Sequence, residues 1–302
     1  MKKIFLALMA TATFVACNKE DKDEDGTSAK FPKEITTIVG TERTVIKYEM
    51  QDATRPKKET RITYRGNSSY GDETYHDYDY DSSGRLQRRT YYSKEPYFHN
   101  YIYTYRADGK LEKEETIALG TTLYATKVYE YRADGRLVKK EDKPANNNDG
   151  SYITTTFDYP STNVVRITKN TYVRKDGKNG DDTNEWHSYT LDAKGNVVKD
   201  EYTTTTHSYE VTYEYDAKIN PEYVNFIIQT TPDHFVTLLT PNNIIRKTVV
   251  TAELNKPENV TKTVYRYDIQ YDGDYPIRIK VYSVPKDEKA PQVLISTTEY
   301  SY

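Results

Sequence analysis

The chain alternates. Tyr101, Tyr103 and Tyr105 share one parity, and Ile102, Thr104 and Arg106 share the other. Period-two patterning sends successive side chains to opposite faces of an extended strand. The pattern recurs along most of the chain, and no stretch carries apolar residues at the i, i+3, i+4, i+7 spacing of a useful amphipathic helix. It is interrupted at regular corners. Tyr78-Asp-Tyr80-Asp-Ser-Ser-Gly84-Arg-Leu86 is followed by Tyr103-Thr-Tyr105-Arg-Ala-Asp-Gly109-Lys-Leu111 and by Tyr129-Glu-Tyr131-Arg-Ala-Asp-Gly135-Arg-Leu137. The corner glycines are spaced 109−84 = 25 and 135−109 = 26 residues apart. A strand–turn–strand unit repeated at near-constant period predicts one continuous module rather than separate domains.

Each corner can be read residue by residue. Arg106-Ala-Asp-Gly109 suits a type I turn whose fourth residue is left-handed, a conformation glycine adopts without a Cβ penalty. Gly84, Gly135 and Gly195 close corners of the same template. A three-residue loop then sets Tyr80 across from Leu86, Tyr105 from Leu111, Tyr131 from Leu137 and Leu191 from Val197. Worn copies follow at Phe157-Asp-Tyr159, at Tyr213-Glu-Tyr215, at Leu239-Thr-Pro241-Asn242-Asn243-Ile244, and at Tyr265-Arg-Tyr267 with Asp272-Gly273. Two strands per period predict on the order of 15 strands. The expected fold is all-β: a long antiparallel meander of hairpin repeats with a period of about 26 residues and no sizeable helix. A flat sheet of that size buries too little surface, so it should curve or roll into a barrel-like single sheet with a thin, tyrosine-rich core. The opposite hairpin ends carry variable loops, 144–150 and 174–184. These are either solvated connections or the edge where a ligand is bound.

Composition adds a location. The chain has 302 residues, of which 31 are tyrosine, and a formal charge of −3. Nothing in it offers the basic face that attracts nucleic acid. Cys17 is the only cysteine, so no intrachain disulfide forms. Lys2 and Lys3 precede an apolar run over residues 4–15, too short to cross a bilayer as a helix. The run ends Phe14-Val15-Ala16-Cys17, which resembles a bacterial lipobox. The resemblance implies that Cys17 is acylated, heads the mature chain and binds membrane through its lipid. Residues 18–34 then read as a solvated acidic tether and 35–302 as the repetitive β domain. The Lys-then-acidic stretch after Cys17 is similar to the surface-export tag of Bacteroidetes lipoproteins, which implies an outer-membrane protein facing outward. Asp21-x-Asp23-x-Asp25-Gly26 opens like an EF-hand loop, but Pro32 stands where the bidentate Glu belongs, so no metal is expected.

The phrase Tyr-x-Tyr-Asp-x-x-Gly-Arg-Leu resembles the YD repeat of Rhs-type surface and toxin-shell proteins. Joined to the lipobox and the acidic tag, the chain from about Thr60 to Tyr302 is similar to an uncharacterised Bacteroidetes lipoprotein family with a porin-like fold. That resemblance implies fold and location and no chemistry. Rhs arrays are long enough to build a closed shell, and this chain is too short for one. The ending Glu299-Tyr300-Ser301-Tyr302 resembles the assembly signal of outer-membrane barrels. Strict alternation, however, puts Lys113 and Glu115 on the face of Leu111 and Ile117, with Glu112 and Glu114 on the other. Neither face then suits lipid, where a midplane lysine costs roughly 2–4 kcal/mol.

Candidate chemistry is sparse. His76, His99, His187, His207 and His234 lie far apart and show no metal-ligand spacing. His76-Asp77 and His187-Ser188 are adjacent and point to opposite faces, so neither forms a dyad. No nucleophile elbow, P-loop or dinucleotide fingerprint occurs, and no cofactor is expected. The aromatics remain. Tyr91, Tyr92, Tyr97, Phe98 and Trp186 lie near the variable ends, where they could stack on a sugar or contact a peptide, or simply pack across strands. The expected function is a non-enzymatic envelope lipoprotein that binds a glycan, peptide or host polymer. The alternatives are a structural or assembly component of an envelope complex, and a glycoside hydrolase built on a carboxylate pair.

Overall fold

The computed structural model of the chain describes residues 30–66, 68, 70–93, 98–145, 151–172, 174–175, 178–179, 183–223, 240–286 and 290–302. Cys17, the acidic run 21–25, Tyr97 and His234 lie outside these residues, as do 146–150 of the first variable loop and 176–177 and 180–182 of the second.

Strands account for nearly all of what is described. In chain order they are β1 (Glu34–Val39), β2 (Glu42–Met50), β3 (Pro56–Tyr64), β4 (Asp72–Tyr80), β5 (Leu86–Tyr92), β6 (Phe98–Tyr105) and β7 (Leu111–Ala118). Then come β8 (Thr122–Tyr131), β9 (Leu137–Pro144), β10 (Tyr152–Ser161), β11 (Val164–Tyr172), the two-residue β12 (Arg174–Lys175) and β13 (Lys178–Asn179), and β14 (Thr183–Leu191). The series ends with β15 (Val197–Thr203), β16 (His207–Ile219), β17 (Asn242–Glu253), β18 (Lys256–Asp272), β19 (Tyr275–Val284) and β20 (Val293–Ser301). β12 and β13 form a small separate hairpin, and the other strands make one 18-stranded sheet. Every strand of that sheet pairs antiparallel with its neighbours in sequence, and β1 pairs with β20 through Glu34↔Ser301 to Val39↔Ser296. The meander therefore closes. The expected rolling of the meander into a barrel-like sheet is complete, with the wall closed between β1 and β20.

The corners follow the type I geometry with a left-handed fourth residue. Gly84, Gly109, Gly135 and Gly195 have φ of +79, +84, +85 and +90°. In the first, Gly84 N–H donates to the Asp81 carbonyl at 2.9 Å and Asp81 N–H to the Arg85 carbonyl at 2.8 Å. The Asp81 carboxylate takes the backbone N–H groups of Ser83 and Arg85, each at 2.9 Å. Leu239 lies outside the described residues, and the rest of its worn copy, Asn242-Asn243, completes the corner that the copy at Tyr213 begins. Asp216 takes the N–H of Lys218 at 3.0 Å and of Asn243 at 3.1 Å, as Asp81 does, with residues 220–241 inserted between.

A second irregularity was not legible in the alternation. Just after each of these corners the ladder slips by one residue: Tyr80 pairs Leu86 but Asp79 pairs Arg88, and Tyr105 pairs Leu111 but Thr104 pairs Lys113. The same slip recurs at β2–β3, β8–β9, β14–β15, β16–β17 and β18–β19. A β-bulge turns all later side chains over. Leu111 therefore shares its face with Glu114, whereas Lys113, Glu115 and Ile117 lie on the other face, which corrects the assignment made from strict alternation.

With the bulges counted, every strand has one inward and one outward face. The inward face holds Tyr78, Leu86, Tyr103, Leu111, Tyr129, Leu137, Phe157, Tyr189, Val197, Val211 and Tyr213, which pack into one buried cluster near the glycine corners. The hydroxyl of the second tyrosine of a unit reaches back to the unit before. Tyr80 donates to the Pro56 carbonyl, Tyr105 to Leu86, Tyr131 to Leu111, Tyr159 to Leu137 and Tyr215 to Val197, at 2.7–2.9 Å. A cation from the preceding corner lies over the same ring in several units, as Arg85 does over Tyr105 at 4.8 Å.

Wall side chains alone cannot fill a barrel this wide, since roughly 16–18 strands leave an open interior. The buried belt is covered by chain that crosses the corner end. Phe31 sets its ring edge-on to Tyr48 at 4.9 Å, and Pro32 and Pro221 are fully buried. Glu222, just past β16, accepts the Tyr300 hydroxyl of β20 at 2.9 Å, a chord across the opening.

Candidate functional site

The candidate site is the interior above this belt. One step beyond each corner pair, the inward residue that faces the buried first tyrosine is charged in six units. Glu59 faces Tyr48, Arg89 faces Tyr78, Glu114 faces Tyr103, Lys140 faces Tyr129, Asp200 faces Tyr189 and Lys247 faces Tyr213. Ile167 and Ile279 fill the equivalent places opposite Phe157 and Ile269. Around the wall the signs run minus, plus, minus, plus, neutral, minus, plus, neutral. This collar places three acids and three bases at one level of the lumen.

Most collar charges are satisfied locally. Glu59 accepts the Tyr78 hydroxyl at 2.9 Å and an Arg61 N–H at 3.4 Å. Glu114 accepts from Lys127 at 2.9 Å, and Asp200 lies 3.0 Å from His187 Nδ1. Arg89 lies over the Tyr101 ring at 4.3 Å, and Lys247 sits 5.9 Å from both Tyr213 and Tyr265. Burial pushes the hydroxyls of Tyr78, Tyr103, Tyr189 and Tyr213 well up, so all four are held as neutral donors. Burial, reinforced by Arg89 and Arg61, pushes His76 down to about 4.

Two aromatic strips line the wall above the collar. His76 lies 5.2 Å from Tyr91, which lies 6.4 Å from His99, on β4 to β6. On β14 to β16, His187 stacks on Tyr202 at 4.6 Å and Tyr202 on Tyr209 at 4.6 Å and 7°. Between the strips the inward positions are largely hydroxyls. Thr37 and Thr298 stand 3.2 Å apart, and Thr44 and Thr63 3.4 Å apart. At the rim, a hollow of about 410 Å³ is lined by His207, Thr251, Glu253, Glu258, Asn259, Val260 and Thr261. Among the described residues no cluster of three metal-binding side chains occurs.

The aromatic residues expected to bind do not converge. Tyr91 faces the lumen. Tyr92 and Phe98 pair on the outer face, where Tyr92 stacks on Tyr75 at 4.5 Å. Trp186 faces outward on β14 and is 40% exposed. The histidines, which show no ligand spacing along the chain, are lumenal in all four described cases. A signal existed: His76-Asp-Tyr78, His99-Asn-Tyr101, His187-Ser-Tyr189 and His207-Ser-Tyr209 each place a histidine two residues before a tyrosine, hence on the same inward row.

The outer wall is charged. Asp79 pairs with Arg88 at 2.6 Å, Lys139 with Glu141 at 2.7 Å, Lys199 with Glu201 and Glu210 at 2.9 Å, and Arg278 with Glu299 at 2.8 Å.

Fold and lumen together define a closed up-and-down β-barrel with a polar, aromatic interior. Two solved structures are similar to it. A porin-like protein from Bacteroides vulgatus matches at 12% identity and a TM-score of 0.45, covering 90% of this chain and 98% of that one. A porin-like protein from Bacteroides uniformis matches at 11% identity and a TM-score of 0.44, covering 89% and 96%. The barrel assignment rests on the strand pairings and takes nothing from these likenesses. No family model and no curated protein matches the chain.

Proposed function

We propose that the protein is a non-enzymatic glycan-binding module of the cell envelope, held at the outer membrane by a lipid on Cys17 and facing outward. The observation that carries the binding reading is the lumen: stacking tyrosines and histidines, threonine hydroxyls and a charged collar above a covered end. Tyrosine faces stack on pyranose rings, and fixed hydroxyl and charged groups orient sugar hydroxyls. A closed barrel has no free strand edge, so strand addition of a peptide has no place on it. The outer wall supports attachment rather than spanning, because charge runs along its height, from Arg88, Lys113, Lys139 and Lys199 near the corners to Glu115, Glu141, Lys143, Glu201 and Glu210 farther up, and charge on a lipid face is destabilising, most of all toward the midplane. Glycan-array binding of the purified protein tests the reading. Hits should weaken at least ten-fold in Tyr202→Ala and Tyr209→Ala. A clean array, or hits indifferent to both changes, would reject it. Cys17→Ser should move the protein from the membrane to the soluble fraction, and protease shaving of intact cells should cleave it.

A second reading, an assembly component of an envelope complex, is favoured by one observation. Ile38, Val39, Val260, Val293, Leu294 and Ile295, on the rim-side halves of β1, β18 and β20, are 39–57% exposed. Stoichiometric co-purification with an envelope protein, lost on Leu294→Lys, would support it.

A further inference from the structure

Two collar cations form no direct ion pair with a carboxylate among the described residues: Arg89 on β5, which feels the Glu114 charge only at a distance, and Lys247 on β17. They stand eight strands apart one way round the wall and ten the other, on opposite sides of the lumen. The collar acids Glu59, Glu114 and Asp200 are each engaged with another side chain. Arg89 is the better-formed of the two sites. Its Nε is buried without an acceptor, and on the next strand His99 Nδ1 is buried without a partner. Arg89 faces Tyr101 and His99 faces Tyr91, so the two residues are diagonal neighbours on the lumenal face. Buried polar atoms are rarely left unpaired, because each loses its water without a replacement bond. Two of them side by side on a lumenal wall describe a missing acceptor.

The acceptor that fits is a carboxylate. A guanidinium donates to it in a two-pronged fork, and an imidazole N–H supplies a third bond. The Tyr101 ring beneath Arg89 holds the fork in one plane, so little freedom is lost on binding. Tyr91 beside His99 offers a face for the ring that carries the acid. We propose that Arg89 and His99 form an anion subsite that selects uronate-bearing oligosaccharides, which rests on the reading of the lumen as a glycan site.

The test is calorimetry on the purified full-length protein with trigalacturonate and with the same trisaccharide reduced at its carboxyl groups to the neutral sugar. The wild type should bind the acid at least ten-fold more tightly. Arg89→Ala should erase that preference while keeping affinity for the neutral sugar. Arg89→Lys, which retains the charge and the stem, should keep a preference reduced several-fold, and it serves if the alanine variant does not fold. Equal binding of both sugars by the wild type, or a preference that survives in Arg89→Lys and Arg89→Ala alike, overturns the subsite and leaves lumenal glycan binding standing. Failure to bind either sugar overturns both.

Discussion

The second tyrosine of a unit does three things at once. Its ring packs beside the corner, its hydroxyl ties back to the previous unit, and in several units a cation from the previous corner covers it. Tyr105→Phe keeps the ring and leaves the Leu86 carbonyl without its donor, so chemical denaturation should show a loss of about 1 kcal/mol. At Gly109, φ is +84° and nothing stands within 4 Å of an added Cβ. Gly109→Ala should therefore cost only backbone strain, roughly 1–2 kcal/mol, in the same assay. His76 makes stability depend on pH. Its folded value, about 4, lies below the unfolded value of 6.5, so the unfolded chain binds the extra proton between them. Stability is complete above about pH 6.5 and should fall, by an amount on the order of 2 kcal/mol, as pH drops toward 4. Denaturation midpoints across that range should flatten in His76→Gln. At this scale the tyrosines and corner glycines were legible because turn chemistry and parity are local. The lumenal histidines were equally legible in the His-x-Tyr spacing, which sets each histidine on the row of its tyrosine.

At the scale of the hairpin, alternation assigns faces correctly up to each corner and wrongly after it. One bulge residue, Gln87 in the first unit and Glu112 in the second, inverts the remainder of the strand. Nothing in the composition of these residues marks them, since a bulge is fixed by how a twisted strand fits its partner and by which side chains the barrel must turn inward. That inversion places Arg89 and Glu114 on the collar instead of the outer wall. The row it protects is tight: Leu86 and Val197 are fully buried. Leu86→Ala should cost about 2–5 kcal/mol by denaturation, with the upper end expected because a rigid ladder on both sides limits collapse into the cavity. Charge reversal at Arg88, opposite Asp79 on the outer wall, should change stability by less than about 1 kcal/mol, since both partners are half exposed.

At the scale of the molecule, the two ends of the chain make the seam. The sequence pointed to a rolled meander of hairpins but not to the strand count or to closure, because closure depends on a pairing between residues more than 250 positions apart, which no local pattern encodes. The proposed leader, its lipid and residues 18–29 of the proposed tether belong to segments beyond the described residues. The charged wall bears on them nonetheless. A chain beginning at residue 30 should stay in solution without detergent and sediment as a discrete species, whereas a lipid-spanning barrel would precipitate. The lumen and its collar exist only if the wall is continuous, since an opened sheet would expose Arg89 and Lys247 to solvent on a single concave face.

Closure can be tested directly at the seam. Thr37 and Thr298 face each other across β1 and β20 with their hydroxyls 3.2 Å apart. In a Cys17→Ser background, Thr37→Cys with Thr298→Cys should form an intrachain disulfide under mild oxidation, visible as a mobility shift reversed by reductant. Thr37→Cys with Thr116→Cys, on strands that do not touch, should not. Absence of the first cross-link in folded protein would mean an open sheet, with no lumen for a ligand to enter.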